Sequence, residues 1–246
     1  MKLDGRLKLI VESIPQCSIL ADIGTDHAYI PIHAVRQGRC TRAVAADLRS
    51  GPIRMAQANI GRHGLQDVIE TRLGDGLEPI DIEECDVIVI AGMGGPLIRR
   101  ILSDAPEKAQ RARKLLLQAN NAVDALRRWL YQNGFEIISE RLAEDSGKLY
   151  CLIEAVWTGT PISRDDFACY IGEKVFIGND PLLERYLEKK LGELNTIISG
   201  RARSDPSKLR RIEEDTSMDT ETCIRIRDRL VKYLEERRSG GRLDYD

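Results

Sequence analysis

No two of the six cysteines (Cys17, Cys40, Cys85, Cys151, Cys169, Cys223) stand in a C-x-x-C pair. Their scatter argues against zinc or a disulfide framework, so no metal is expected and reduced, mostly buried thiols are. Net charge is lacking too: 37 basic residues face 39 acidic ones, a formal charge of -2. Bulk charge offers a polyanion nothing, and affinity for nucleic acid would have to come from a local patch. No apolar run approaches a membrane span, and Met1-Lys2-Leu3-Asp4-Gly5-Arg6 holds no signal core; the expectation is a cytoplasmic protein with no membrane partner. The phosphate cradle of a dinucleotide fold is also missing. Where G-x-G-x-x-G would continue from Gly24, Asp26 and Tyr29 replace the second and third glycines. Carboxylate and aromatic groups in that turn favour a ligand that carries a cation.

What is present is a regular alternation. At 246 residues the chain can bury one core and add a smaller module. Strand candidates are 18–23, 43–47, 68–73, 86–91, 115–118, 135–142 and 149–157; helices are expected at 27–37, 52–63, 96–102 and 124–132, after a lead-in at 6–14. Strand then helix, repeated, predicts an α/β doubly wound sheet. The last two strands are separated only by 143–148, where Ser146-Gly147 supplies turn chemistry for an antiparallel hairpin. A mostly parallel sheet closed by one such hairpin fits the Rossmann-like layout of class I S-adenosylmethionine methyltransferases better than a dehydrogenase. The boundaries read as a domain over 1–160 and a helical one over 161–246, after the linker Thr158-Gly159-Thr160-Pro161. In the second part Leu183, Leu187, Leu191, Leu194 and Ile198 recur at spacings of four and three, as do Leu209, Ile212, Thr216, Asp219, Cys223, Ile226, Leu230 and Tyr233. With a reversal at 200–206, these predict an antiparallel coiled coil weakened in the middle by Thr216 and Asp219.

The strand ends carry the chemistry. Asp22, Gly24 and Thr25 would face a cofactor, with His27 at its edge. Asp47 closes the second run about 25 residues beyond Asp22, where an acid can accept both ribose hydroxyls of an adenosine; capping the next helix is the alternative. Leu48 would face the adenine. In Gly74-Asp75-Gly76, Asp75 could accept from the adenine amino group while Gly76 lets backbone approach, unless the tripeptide is only a turn. The fourth run opens into Ala91-Gly92-Met93-Gly94-Gly95, without the Asn/Asp-Pro-Pro-aromatic clamp of many base methyltransferases. Ala91 and Gly92 allow close approach, and Met93 could line either a cofactor or a base pocket. Gln118-Ala119-Asn120-Asn121 puts amides at the same edge, to hold a flipped base or to cap a helix.

The stretches 22–31, 74–77, 91–95 and 126–130 together resemble the bacterial tRNA (adenine-22-N1)-methyltransferase family, over nearly the whole chain. The resemblance implies a domain that binds S-adenosylmethionine and methylates N1 of an adenine in tRNA. One departure is Ala119, where a proline is expected. Because the methylated product is cationic, a carboxylate near N1 would stabilise the transition state, and Asp26 is the candidate; it could also orient the exocyclic amine, or merely cap the next helix. Tyr29 offers a face for the base and Asn120 completes the catalytic candidates. His33 and His63 lie away from the strand ends and receive no role.

Gripping an extruded base requires cations around the pocket. Candidates are Arg6 and Lys8 on the lead-in, Arg49 and Arg54 after the second strand, and Arg99 and Arg100 after the glycine loop. A second cluster, Arg201, Arg203, Lys208, Arg210 and Arg211, falls at the hairpin tip. Each alone is equally a solvated surface charge. Two other functions compete: a methyltransferase of the same fold acting on a small molecule or protein, and a non-catalytic binding protein that assembles through the coiled coil. Short heptads can close within one chain, so they do not fix an oligomeric state.

Overall fold

Five strands run parallel: β1 (Cys17–Ile23), β2 (Cys40–Asp47), β3 (Ile69–Leu73), β4 (Val87–Met93) and β5 (Lys114–Ala119). β6 (Phe135–Asp145) and β7 (Lys148–Trp157) complete a seven-stranded sheet of order β3-β2-β1-β4-β5-β7-β6, in which β7 is antiparallel to both neighbours. Ser146 and Gly147 join them with φ of 50° and 75°, the left-handed pair that matches the twist of a tight hairpin. This is a computed structural model, and it describes residues 3, 5–177, 180–203 and 218–239.

The central strands are apolar throughout because both of their faces are covered. Leu20, Ala43, Val87, Val89 and Leu116 point to one side, where they meet α1 (Gly5–Ser13), α2 (Tyr29–Arg36) and α3 (Ser50–Arg62) through Ile10, Ile14, Ile32 and Ile60. Alternation sends Ile88, Ile90, Leu115 and Leu117 to the other side, toward α4 (Gly95–Asp104) and α6 (Val123–Gln132). All of these side chains are buried, each valine, leucine or isoleucine contributing roughly 1.5–3 kcal/mol relative to exposure. α5 (Pro106–Arg111) was not foreseen: six polar-rich residues carry too short a pattern.

Register brings the strand ends level. Ile23 lies beside Ala46 on β2 and Ile90 on β4, Asp47 beside Leu73 on β3, and Ala91 beside Gln118 on β5. Between β1 and β4 the strand order reverses, which opens a crevice at their carboxyl ends.

The chain divides into two units, Met1–Ser163 and Arg164–Asp246. In the second, α8 (Leu183–Ala202) packs against α9 (Thr220–Arg238). Arg238 at the end of α9 pairs with Glu184 and Glu188 at the start of α8 (3.4 and 2.6 Å), while Arg201 at the other end of α8 donates to the Met218 carbonyl at 3.0 Å. The helices are therefore antiparallel. Leu183, Leu187 and Leu194 are buried against Cys223, Ile226 and Leu230; Leu191, Ile198 and Tyr233 are half-buried, and Leu234 fills the last buried position. Asp219 is not a weak point inside a helix but the N-cap of α9, accepting the Thr222 N–H at 2.7 Å. A further helix, α7 (Asp166–Ile171), buries Phe167, Tyr170 and Ile171 in this unit. Leu209, Ile212 and Thr216 lie outside the described residues.

Candidate functional site

The crevice holds a cavity of about 560 Å³ walled by the ends of β1 to β4 and by α1 and α4. All eleven candidate cofactor residues line it: Asp22, Gly24, Thr25 and His27 from β1 and its turn, Asp47 and Leu48 from β2, Asp75 and Gly76 after β3, and Ala91, Gly92 and Met93 from β4. Asp26 and Tyr29 line it as well.

Backbone hydrogen bonds tie the strand-end turns together. Ala46 O accepts from both Gly24 N (2.8 Å) and Thr25 N (2.9 Å), and Asp47 O accepts from Gly74 N at 3.1 Å. Gly24 has φ of 77°, the left-handed region that favours glycine, and a Cβ there would have to displace the end of the Met93 side chain. Ala28 adopts φ of 54°, an unfavourable left-handed conformation for a residue with a Cβ. That kink delays α2 until Tyr29 and removes Asp26 from the capping position the sequence allowed it, since no side chain caps this helix. Asn59, buried on α3, holds the turn by donating to His27 O at 3.1 Å. The result is an exposed rim in which Asp26 Oδ2 lies 3.3 Å from His27 Nε2, and the His27 ring stacks on Tyr29 at 5.0 Å.

The acids differ in state. Asp22 is buried, and burial pushes its carboxyl up to about 6; a hydrogen bond from Thr25 opposes the shift and the nearby Asp47 charge adds to it. Asp47 accepts the Arg49 N–H at 2.8 Å and does not cap α3, whose N-cap is Arg49. Asp75 is held bidentately by Arg100 at 2.9 and 2.9 Å, which keeps its carboxyl below the usual range.

Several candidates lie elsewhere. Asn120 does not line the cavity: its Nδ2 donates to Gly92 O at 2.8 Å and its Oδ1 accepts from Gln118 Nε2 at 3.1 Å. Gln118 is fully buried, and its Oε1 accepts from Gly92 N at 3.1 Å and Arg6 Nη1 at 2.7 Å. The amides after β5 therefore brace the glycine turn, and the cap of α6 is Ala122 with no side-chain bond. A glutamine closing the run Leu115-Leu116-Leu117 was the available signal. Of the candidate RNA contacts, Arg6, Arg49 and Arg100 line the cavity, whereas Lys8, Arg54 and Arg99 are exposed outside it. Arg201 is buried, 3.7 Å from Cys223 Sγ and bonded to Met218 O, so it offers no guanidinium to a phosphate. Arg203 is exposed; Lys208, Arg210 and Arg211 lie outside the described residues.

Residues 3–153 match the family model described as a methyltransferase domain. The chain is 32% identical to the solved Bacillus subtilis M1A22 tRNA methyltransferase TrmK, with 96% of this chain and 98% of that one covered at a TM-score of 0.69. The chain belongs to the tRNA (adenine-22-N1)-methyltransferase family. A second family structure, M. capricolum TrmK in complex with S-adenosylhomocysteine, is 27% identical at a TM-score of 0.76, covering 96% of this chain and 99% of that one. The curated B. subtilis tRNA (adenine(22)-N(1))-methyltransferase is 40% identical over 155 residues, 63% of this chain and 65% of its own length, so that match spans just under two thirds of the relative. Of the stretches that carry the resemblance, those at 22–31, 74–77 and 91–95 contribute to the cavity wall. The stretch 126–130 does not: Arg127 is fully buried and binds Glu140 at 2.6 Å. Among the described residues no helix is long and apolar enough to cross a membrane, and no cluster of His, Cys, Asp or Glu could hold a metal.

Proposed function

We infer that this protein transfers the methyl group of S-adenosylmethionine to N1 of adenine 22 in tRNA. The observation that carries this reading is one cavity in which Asp22, Asp47 and Asp75 stand at three successive strand ends, beneath a rim of Asp26, His27 and Tyr29. The residues fit the cofactor: the volume of about 560 Å³ lies in the ~300–1,000 Å³ range of small-molecule sites, and acids outnumber the cavity's free cations. When bound, S-adenosylmethionine supplies a methyl group activated by a sulfonium.

Asp47 holds the ribose hydroxyls, and Leu48, 62% exposed, covers the adenine from outside. Asp75 accepts the adenine amino group once Arg100 yields part of its bidentate grip. Asp22 and the Gly24 turn take the cationic end. The target adenine stacks on Tyr29, and Asp26 faces its Watson–Crick edge, stabilising the positive charge that grows on the ring as N1 is alkylated. N1 already has a free lone pair, so His27 orients Asp26 and removes no proton from the nucleophile. The exposed Arg49, Arg54, Arg99 and Arg203 are the phosphate contacts for the tRNA. The enzyme works in the cytoplasm, where tRNA is modified.

The test is methyl incorporation from labelled S-adenosylmethionine into an unmodified tRNA transcript. Incorporation is expected, and its loss is expected when guanine replaces adenine 22; undiminished incorporation would refute the assignment.

Asp22 gives the site a pH dependence. Its carboxyl is raised to about 6 by burial, so it is neutral in acid and charged above that value. The raised value favours the protonated folded state, so this group's contribution to stability grows as pH falls from about 6 toward 4. Cofactor affinity runs the other way, because the anion attracts the cationic ligand: from pH 7.5 to pH 5 it should weaken by about tenfold. Titration calorimetry should show that slope flattened in Asp22→Asn, and an equal slope in the variant would remove Asp22 from the cofactor's cationic end.

A further inference from the structure

The cavity lies at the carboxyl ends of the strands, and a pair of thiols lies at the opposite, amino ends. Cys17 opens β1, Cys40 opens β2, and the two are direct partners in the parallel register. Paired residues of neighbouring strands project to the same face with Cα atoms about 4.8 Å apart, inside the ~4.4–6.8 Å that a disulfide spans. Cys40 is buried in the apolar cluster under α1, α2 and α3; Cys17 packs against that cluster and keeps part of its surface in solvent. We propose that Cys17 and Cys40 are an oxidisable dithiol, a modification site at which a hydroperoxide closes an intrachain disulfide between β1 and β2. Spacing along the sequence concealed the pair, because only the register of β1 on β2 makes these residues neighbours.

The two sulfurs differ as such a site requires. The Cys40 thiol donates a hydrogen bond to the Cys17 sulfur, which holds the Cys17 thiol below its ordinary value; the Arg113 cation adds to this, while burial and the Asp86 charge oppose it. Arg113 is fixed there by donating to Asp86 Oδ1 at 3.0 Å and to Gln16 O at 2.6 Å. Cys17 in turn donates to Arg39 O at 3.5 Å, which keeps its sulfur over the start of β2. The thiol–thiol bond and burial both push the Cys40 thiol up, so it retains its proton. Cys17 is therefore the nucleophile. Its thiolate takes the terminal oxygen of a hydroperoxide, the O–O bond breaks, and the departing alkoxide takes a proton from water; sulfur is oxidised by two electrons to a sulfenic acid and the peroxide is reduced to an alcohol. The Cys40 sulfur then displaces that oxygen, the S–S bond forms, and the Cys40 proton leaves with the hydroxide as water. The closed ring contains β1, the turn from Asp22 to Tyr29 and α2, so oxidation fastens both ends of the segment that carries Asp26.

The experiment treats the full chain with hydrogen peroxide, alkylates the remaining thiols after denaturation, and maps unreduced peptides by mass spectrometry. Two of the six thiols should be lost, in a peptide that links residue 17 to residue 40, and dithiothreitol should restore both. Cys85, Cys151, Cys169 and Cys223, all buried, should remain free for alkylation. In Cys40→Ala, dimedone should trap a sulfenic acid at Cys17, and in Cys17→Ala the Cys40 thiol should stay reduced. The wild-type map alone decides the pairing, whatever the stability of the variants. Free thiols at both positions after the other cysteines have oxidised, or a bond from Cys17 to any other cysteine or to a second chain, would overturn the proposal.

Discussion

Replacing Asp26 with alanine is expected to lower kcat for tRNA methylation by about 10²–10³-fold, the cost of deleting one preorganised charge from a site where charge develops. Cofactor affinity should hold, because Asp26 stands on the rim, with its side chain 74% exposed, while Asp22 and Asp47 lie deeper in the wall. Asparagine at the same position separates its two possible jobs. It can still accept a hydrogen bond from the exocyclic amine but carries no charge, so if charge stabilisation dominates, Asp26→Asn should be as slow as Asp26→Ala. Single-turnover rates with saturating cofactor measure this directly. Full activity in both variants would exclude Asp26 from the chemistry.

The second large effect is one of stability. Glu140→Ala should destabilise the first unit by about 3–5 kcal/mol, because it removes a fully buried carboxylate that pairs the Arg127 guanidinium in the core. The two side chains meet at 2.6 Å with no solvent exposure, between α6 and β6, and Cys151 Sγ on β7 lies 3.6 Å from Arg127. For a unit of this size the thermal midpoint should fall by roughly 10 °C. Replacing the pair together, by Arg127→Met with Glu140→Leu, should recover most of the loss, since neither apolar side chain brings a charge into the core. Thermal unfolding decides it: a midpoint unchanged in Glu140→Ala would show that the buried charge relaxes elsewhere.

This ion pair also explains what the sequence could and could not convey. The strands were legible because buried parallel strands must be apolar from end to end, and acids that terminate such runs have to lie at the carboxyl edge of the sheet. Asp22, Asp47 and Asp75 were therefore found as a set. The helix expected at 27–37 was legible as well, but its start at Tyr29 was not, because that late start depends on Ala28 adopting a left-handed conformation, for which alanine has no intrinsic preference. Gln118 was noticed but misassigned: its position at a strand end was readable, whereas its bonds to Gly92 and Arg6 depend on β4, β5 and α1 meeting in space. The same holds for Arg127, part of a family-like stretch and yet a buried strut. Arg201 misled for a related reason. A basic residue near a helix end reads as surface, but this one folds back onto Met218. Asp219 fitted the heptad spacing, which cannot distinguish a core position from a cap one turn away.

The most direct test of the central claim is to digest tRNA methylated by the purified protein and identify both the modified nucleoside and its position by mass spectrometry. The proposed reading, in which Asp26 faces the Watson–Crick edge of an extruded adenine, predicts 1-methyladenosine at position 22 and nowhere else. Methyl groups on an exocyclic amine or a ribose, or no methylation of tRNA at all, would contradict it.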